Sequence, residues 1–404
     1  MRVLYSVQRY GDDIVGGSES ACRMFAEHLV TRGHEVEVTT SCARSYVDWA
    51  DSYEPGTADV NGVTVHRHKV RDVRRPEIFG PLDQWVHGGP HPVPFSIQQR
   101  WSRAMGPDLL GQREWLLRNA NRFDVAIFMT YLYSTTTSGL PALARVLPTV
   151  LQPTAHDEPP FRIGIMDPVF RLADAMLFFT PEEQAVVEKR FGFSPAGAVV
   201  GMGIDLDQVG DPRKFRSRYS LGDSEYLLYA GRVDPMKGVI ELADFFIAFK
   251  NRNPGPLKLV VAGEQLVSLP EHPDIVFTGF LDEGLKHDAL AGALALAQPS
   301  YFESFSIVLC ESWVQRRPAL VQAGCEVLAG QARRSGGAVP YRGFAEFEAA
   351  LLRLLQDPDG AAEMGRRGRE YVESNYEWGT VIDGVEAVVE DALHLFAQRR
   401  ATSA

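Results

Sequence analysis

The sequence predicts an α/β protein built from two doubly wound domains, and three observations carry that prediction. The chain has 404 residues, too many for one compact core. Apolar runs of strand length alternate with helical stretches, and they do so in two consecutive sets, the pattern of parallel sheets covered by helices. Between the sets, residues 201–212 are rich in Gly and Asp and read as a hinge. The domains are therefore expected at residues 1–203 and 204–377, with a helical segment 378–404 that can return to the first.

The first set opens with "RVLYSV", a strand, followed by a polar loop and a β-loop-α-β unit in "GGSESACRMFAEHLVTRGHEVEVTT". Cys22, Phe25, Ala26, Leu29 and Val30 recur at helical spacing, Gly33 stands where a helix-ending glycine belongs, and Val36 and Val38 alternate with glutamates. "FDVAIFMT", "TVLQPT" and "AMLFFT" read as buried strands. In "TPEEQAVVEKRFG" a helix is predicted with Thr180 as N-cap, Pro181 at its first position, Glu183 closing a capping box and Gly192 at its end. The second set comprises "EYLLYAG", "LKLVVAG", "DIVFTG", "ALAQPS" and "PALVQAG", and "EWGTVIDGVEAVVEDALHLFAQRR" reads as a long final helix.

Composition excludes several classes. A formal charge of -11 argues against a nucleic-acid partner, because phosphate contacts demand a basic excess. No membrane span and no targeting peptide is readable, so a cytoplasmic location with at most peripheral membrane contact is the default. Cys22, Cys42, Cys310 and Cys325 lack metal-binding spacing and are expected reduced and partly buried. His66 with His68, and His87 with His91, are weak metal pairs for which solvated side chains are the favoured reading. Asp205 and Asp207 in "DLD" follow "GMGI" and read as a turn.

Ligands of open α/β sheets bind beyond the carboxyl ends of strands, and four loops there carry chemistry. Gly16 and Gly17 open the first helix, whose free amides favour an anion; a tight loop with Ser18 as N-cap is the structural alternative. In "YAGRVDPMKG", Arg232 offers a fork of donors and Lys237 a mobile point charge to the same anion. In "ESFSIVLCE", Glu303 precedes a helix and Glu311 lies in its second turn among apolar residues, where a carboxylate needs donors such as sugar hydroxyls. Ser304 and Ser306 are candidate caps there, leaving the amides of residues 305–307 for a phosphate. In "PTAHDEPPF", His156 stands at a strand's carboxyl end, poised either to contact a reacting group or to bond locally.

Together "GGSE", "GRVDPMKG", "ESFSIVLCE" and "SGGAVPY" resemble the retaining glycosyltransferases of family 4, glycosyl transferases group 1, over nearly the whole chain. That resemblance implies the GT-B fold, two facing Rossmann-like domains with a cleft between them. It further implies transfer of a sugar from a UDP- or GDP-linked donor to a hydroxyl acceptor with retention, the leaving phosphate taking the acceptor's proton. By the same resemblance Arg232 and Lys237 would hold the diphosphate with help from Gly16 and Gly17, and Glu311 would bind ribose. Glu303 and the amides around Phe305, Ser306 and Ile307 would meet the transferred sugar, with His156 reaching it from the other domain. The family often has glycine where this chain has Ser306, which puts close backbone approach there in question. Two cations and helix amides stabilise the leaving diphosphate without a metal, and no cofactor is expected.

The acceptor, whether a small molecule, a glycan or lipid-linked, is expected on the first domain. Residues 76–122, with Trp85, Trp101 and Trp115, are its most individual part; the indoles can stack on sugars or pack in the core. "RHKVRDVRR", residues 67–75, is a basic patch that reads as a solvated loop, with an anionic lipid surface or phosphorylated acceptor as the alternative. A nucleotide-sugar epimerase and a silent nucleotide-sugar-binding protein remain as rivals. A dinucleotide oxidoreductase is weaker, because no G-x-G-x-x-G follows the first strand.

Overall fold

A computed structural model of the chain describes every residue except Val15, Pro90, His91 and Ala404. It divides into two compact units, Met1–Gly201 with Val381–Ala404, and Met202–Thr380.

The first unit runs β1 (Arg2–Ser6), α1 (Gly17–Thr31), β2 (Glu35–Ser41), β3 (Gly56–Val60), β4 (Val63–His68), α2 (Pro76–Gly88), α3 (Phe95–Met105) and α4 (Gln112–Asn119). It continues with β5 (Val125–Met129), α5 (Ser134–Leu143), β6 (Thr149–Gln152), α6 (Asp167–Leu172), β7 (Ala175–Phe178), α7 (Pro181–Phe191) and β8 (Gly197–Val199). Its sheet has the order β3-β4-β2-β1-β5-β6-β7-β8, parallel throughout except for the β3/β4 hairpin. Strands β5, β6 and β7 are wholly buried, which is why they read as unbroken apolar runs. The apolar stripe of α1 turns inward at Cys22, Phe25, Ala26 and Leu29. Helix α7 has the predicted ends: the Thr180 hydroxyl accepts from the Glu183 amide, and Gly192 takes a left-handed conformation at φ 70°.

The second unit holds α8 (Pro212–Arg218), β9 (Tyr226–Ala230), α9 (Val239–Arg252), β10 (Lys258–Ala262), β11 (Ile275–Gly279), α10 (Glu283–Gly292) and β12 (Ala295–Gln298). After these come α11 (Ile307–Val314), β13 (Ala319–Gln322), α12 (Glu326–Ser335), β14 (Ala338–Tyr341), α13 (Phe344–Gln356) and α14 (Pro358–Asn375). The sheet order is β11-β10-β9-β12-β13-β14, all parallel. In both sheets the order reverses beside the first strand, between β1 and β5 and between β9 and β12. These are the topological switch points where ligands of such sheets bind.

Helix α15 (Trp378–Ser403) passes from one unit to the other. Val381, Val385, Val388, Ala392 and Phe396 recur at helical spacing and are buried. Glu386 pairs with His34 at 2.8 Å and Arg32 at 3.1 Å, both at the end of α1, and the His34 and Arg32 hydrogen bonds hold its carboxyl below the usual range. Among the described residues no helix is long and apolar enough to cross a membrane.

Several sequence expectations need correction. His66 and His68 are not solvated: His66 is tilted against Trp115 at 4.6 Å and His68 stands edge-on to it at 5.7 Å, with His66 on Glu37 at 2.5 Å and His68 on the Thr39 hydroxyl at 3.0 Å. Burial pushes His68 down to about 4. His87 packs edge-on to Trp101, and His91 lies outside the described residues. The 67–75 run is a solvated loop only in part: Lys69, Arg71, Asp72, Val73 and Arg75 are exposed, but Arg67 and Arg74 are folded in. Arg67 is buried in β4, stacked over Tyr53 and donating to the Tyr10 carbonyl at 3.0 Å, and Arg74 lies over Trp49 and Phe79. Trp101 is core and Trp85 is exposed. The four cysteines are free, and all are fully rather than partly buried.

Candidate active site

In the second unit the loops after β9 and β12 meet at the switch point. Beyond Ala230, Tyr229 donates from its hydroxyl to the Arg232 carbonyl at 2.5 Å, fixing the start of the turn. Asp234 caps a short 3-10 turn, Pro235–Lys237, by accepting from the Met236 amide at 2.8 Å. Gly238 then turns left-handed at φ 70°, and a Cβ there would lie 2.3 Å from the Pro299 carbonyl oxygen. Glycine is thus required twice over, for the backbone angle and for the approach of this turn to the β12 loop. The approach brings Lys237 Nζ to 2.8 Å from Glu303 Oε1, with the carboxylate side chain only 13% exposed. The structure therefore joins two residues that the sequence places 66 positions apart. The backbone amide of Glu303 also reaches the Cys325 sulfur, a thiol pushed up to about 11 mainly by burial.

Helix α11 begins immediately after. Ser306 holds the N-cap position at φ 75°, a left-handed conformation that favours glycine and costs a serine on the order of 1 kcal/mol. Its hydroxyl does not cap the helix, contrary to expectation, but accepts from the Gln298 amide at 2.8 Å. The Gln331 amide donates to the Phe305 carbonyl, and the Phe305 ring stands edge-on to Tyr376 at 4.9 Å. Phe305 and Ser306 are thus held from three directions, and Ile307 begins the eight-residue helix that follows them.

Glu311 does not face Glu303's partner. It pairs with Lys286 of α10 at 2.7 Å, its side chain 12% exposed, and Lys286 also holds Glu283 at 2.8 Å. Although burial works against the charged ammonium, Glu311 and then Glu283 win, and the Lys286 pKa is raised. Glu283, His287 and Glu311 lie close enough to share an ion, yet the Lys286 ammonium already sits on both carboxylates. Lys286 was missed from the sequence, where nothing in "DEGLKHDAL" ties it to a glutamate 25 residues on.

The remaining expected residues belong to the first unit. Gly16 precedes α1 as its N-cap and Gly17 is its first residue; Ser18 is therefore not the cap. The Ser18 hydroxyl instead donates to Glu19 at 2.8 Å. Glu19 also accepts from Arg9 Nε at 2.9 Å and Nη2 at 2.6 Å in a buried pair. A Cβ on Gly16 would lie 2.4 Å from the Glu19 carboxylate, so glycine there makes room for this pair, while nothing stands within 4 Å of a Cβ on Gly17. His156 lies in the loop after β6, with Nδ1 3.3 Å from Glu158, whose carboxylate takes the Tyr131 hydroxyl at 2.6 Å. The residue before it, Ala155, donates its amide to Glu183 at 2.6 Å, and Phe179 donates to the same carboxyl at 2.7 Å. Burial pushes Glu183 up to about 8 despite four backbone amides that pull it down. The sequence showed Glu183 only as a capping residue, not as the tie between two loops. Asp205 of "DLD" accepts from the Trp378 indole at 3.0 Å, as a turn residue does.

Comparison with known proteins supports the expected fold. Residues 224–357 match the family model for glycosyl transferases group 1. The chain is 26% identical over 426 residues to a D-inositol 3-phosphate glycosyltransferase of Kineococcus radiotolerans, covering 96% of this chain and 94% of that one. Over 228 residues it is 26% identical to a GDP-mannose-dependent α-(1-6)-phosphatidylinositol monomannoside mannosyltransferase of Mycobacterium tuberculosis, covering 52% and 59% of the two chains. Among solved structures, Anabaena HepE in complex with UDP and glucose superposes with a TM-score of 0.71 at 15% identity, covering 96% of this chain and 99% of that chain.

Proposed function

We propose that this chain, a glycosyltransferase with the GT-B fold, uses a UDP- or GDP-linked sugar and transfers it with retention, without a metal, to a hydroxyl acceptor. The observation that carries the reading is the Lys237–Glu303 contact at 2.8 Å on the switch point of the second sheet. A cation suited to a diphosphate and a carboxylate suited to sugar hydroxyls are there held side by side. Breaking a sugar–phosphate bond builds negative charge on the leaving diphosphate. Arg232, Lys237 and the amides at the start of α11 stabilise that charge.

Glu303 orients both the Lys237 ammonium and the sugar, and Glu311, held in place by Lys286 at 2.7 Å, accepts from the ribose hydroxyls. Gly16 and Gly17 give the diphosphate room on the first unit, and His156 contacts the transferred sugar. The leaving phosphate takes the acceptor's proton on the face it vacates, so no protein nucleophile is used. One relative is GDP-mannose-dependent and one similar structure holds UDP, which supports a nucleoside diphosphate of either base. The cytoplasm, where a soluble donor is available, is the proposed site of action.

The test is a donor screen. UDP or GDP should raise the melting temperature in proportion to RT ln(1 + [L]/Kd), and one base should stand out. Release of that nucleotide from its sugar should depend on an acceptor, resist chelation, and give a product with the donor's anomeric configuration. Lys237→Ala should slow release by a factor on the order of hundreds. Absence of any nucleotide shift together with an unaffected Lys237→Ala variant would refute the assignment. Sugar isomerisation without glycoside would point to an epimerase instead.

A further inference from the structure

The first unit alone forms a cavity of about 950 Å³, walled by the segment after β4, by α3 and by residues of α4 and α5. Gln112 on its wall reaches Ser6, the last residue of β1, at 3.5 Å, and Ser134 on its wall begins α5, the helix that follows β5. Gln112, Arg113 and Glu114 of α4 and one lengthwise face of α5, Ser134, Thr137, Ser138 and Pro141, complete the wall.

The wall is strongly basic. Arg71, Arg74, Arg75, Arg100, Arg103 and Arg113 line it against only Asp72, Asp108 and Glu114, in a chain whose net charge is -11. Two of these arginines are accounted for within the protein. Arg71 pairs with Asp108 at 3.2 Å, and Arg74 donates to the Met105 carbonyl at 3.1 Å while stacked on aromatic rings. Among the described residues Arg75, Arg100, Arg103 and Arg113 have no ion-pair partner, and all four are exposed. They come from three separate elements: Arg75 caps α2, Arg100 and Arg103 lie one turn apart on α3, and Arg113 is in the first turn of α4. Like charges gathered on one concave surface repel, and the arrangement becomes favourable when a multiply charged anion enters. Val73, Ile78 and Phe95, exposed on the same wall, offer apolar surface for the skeleton that bears it.

We infer that this cavity receives the acceptor and that the acceptor carries a phosphate, gripped by Arg75, Arg100, Arg103 and Arg113. The inference rests on the glycosyltransferase reading above and adds the acceptor's chemical class to it. Guanidinium forks match phosphate oxygens two at a time, so the grip fixes orientation as well as affinity. The phosphate belongs either to a soluble sugar or polyol monophosphate or to a phospholipid headgroup, and the two sources separate in the test.

Purified full-length chain is titrated with glucose 6-phosphate, with glucose, and with phosphatidylcholine vesicles containing or lacking phosphatidylinositol. The measurement is repeated on the Arg100→Gln/Arg103→Gln double variant and on Lys237→Ala. Both arginines are exposed, so the double variant should fold, which its binding of UDP or GDP verifies. Glucose 6-phosphate, or the phosphatidylinositol vesicles, should bind wild type and Lys237→Ala alike, while glucose and plain phosphatidylcholine do not. The double variant should bind about a hundredfold more weakly, roughly tenfold for each charged hydrogen-bonding group removed, with unchanged nucleotide affinity. Binding of sugar phosphate with no binding of vesicles identifies a soluble acceptor, and the converse identifies a lipid. If the phosphate probes bind the double variant as tightly as wild type, lose affinity in Lys237→Ala instead, or fail to bind a chain that does bind UDP or GDP, the inference is overturned while the donor reading stands. If no nucleotide binds, the donor reading itself falls and takes this inference with it.

Discussion

Replacing Glu183 by Gln tests whether one buried carboxyl ties the His156 loop to the sheet. Its two oxygens accept the amides of Ala155 at 2.6 Å and Phe179 at 2.7 Å, in a side chain with no access to solvent. Above about pH 8, where the wild-type carboxyl is ionised and both oxygens accept, Gln offers a single acceptor oxygen, so its NH2 must face one of those two N–H groups and leave it unpaired. An unsatisfied buried amide costs about 1–3 kcal/mol. For a unit of this size each kcal/mol lowers Tm by roughly 2–4 °C, so a loss of about 2–12 °C is expected.

The pH dependence is the sharper readout. The folded carboxyl is raised from 4.5 to about 8, so the folded state holds a proton that the unfolded state releases above 4.5. The stability this group contributes is complete below pH 4.5 and is lost as pH climbs through about 8. At roughly 1.36 kcal/mol per unit the total comes to at most about 4–5 kcal/mol. Urea unfolding at about pH 6 and about pH 9 should therefore show wild type losing a few kcal/mol relative to Glu183→Gln, which has nothing to titrate there. Because Ala155 adjoins His156, the variant should also lower kcat with nucleotide affinity unchanged. Parallel pH profiles for the two proteins would refute the reasoning.

Three further outcomes are expected. Glu311→Ala should weaken nucleotide binding with little change in kcat, whereas Glu303→Ala should mainly lower kcat; equal losses confined to affinity would contradict those roles. Arg9→Ala leaves Glu19 as an uncompensated buried charge and should cost about 3–5 kcal/mol in urea unfolding, while a change below 1 kcal/mol would show the pair to be inert. Gly368→Ala places a Cβ 2.3 Å from the fully buried Trp313 ring and should destabilise the second unit by about 1–3 kcal/mol, read by intrinsic fluorescence during unfolding.

Much of the fold was legible because its cues are local. The strand runs of β5 to β7, the inward stripe of α1, and the Thr180, Pro181 and Gly192 punctuation of α7 each depend on residues within a few positions of one another. The Arg232–Lys237 turn was legible for the same reason, being a strand end with Pro and Gly at fixed places. What escaped depends on distant partners. A run of arginines at 67–75 looks the same whether solvated or folded over, and only the packing of Tyr53, Trp49 and Phe79 separates Arg67 and Arg74 from Arg75. Ser18 has the chemistry of a cap but sits too far inside α1, because Gly16 already ends the extended segment and Glu19 claims the hydroxyl. Lys286 carries no local mark of its pairing with Glu311, and β3, exposed along nearly its whole length, carries no apolar alternation to announce its hairpin with β4.

The path of α15 has a consequence for biosynthesis. Met202–Thr380 is an uninterrupted stretch of chain, whereas the first unit is closed by Val381–Ala404. The second unit can fold as soon as it emerges from the ribosome, but the earlier-made part must wait through the synthesis of the entire later one before it receives Val381, Val385, Val388 and Phe396. During that interval its uncovered apolar groove is exposed to chaperones and to neighbouring nascent chains, so a ribosome stalled near Thr380 would release a product with one finished half and one sticky one.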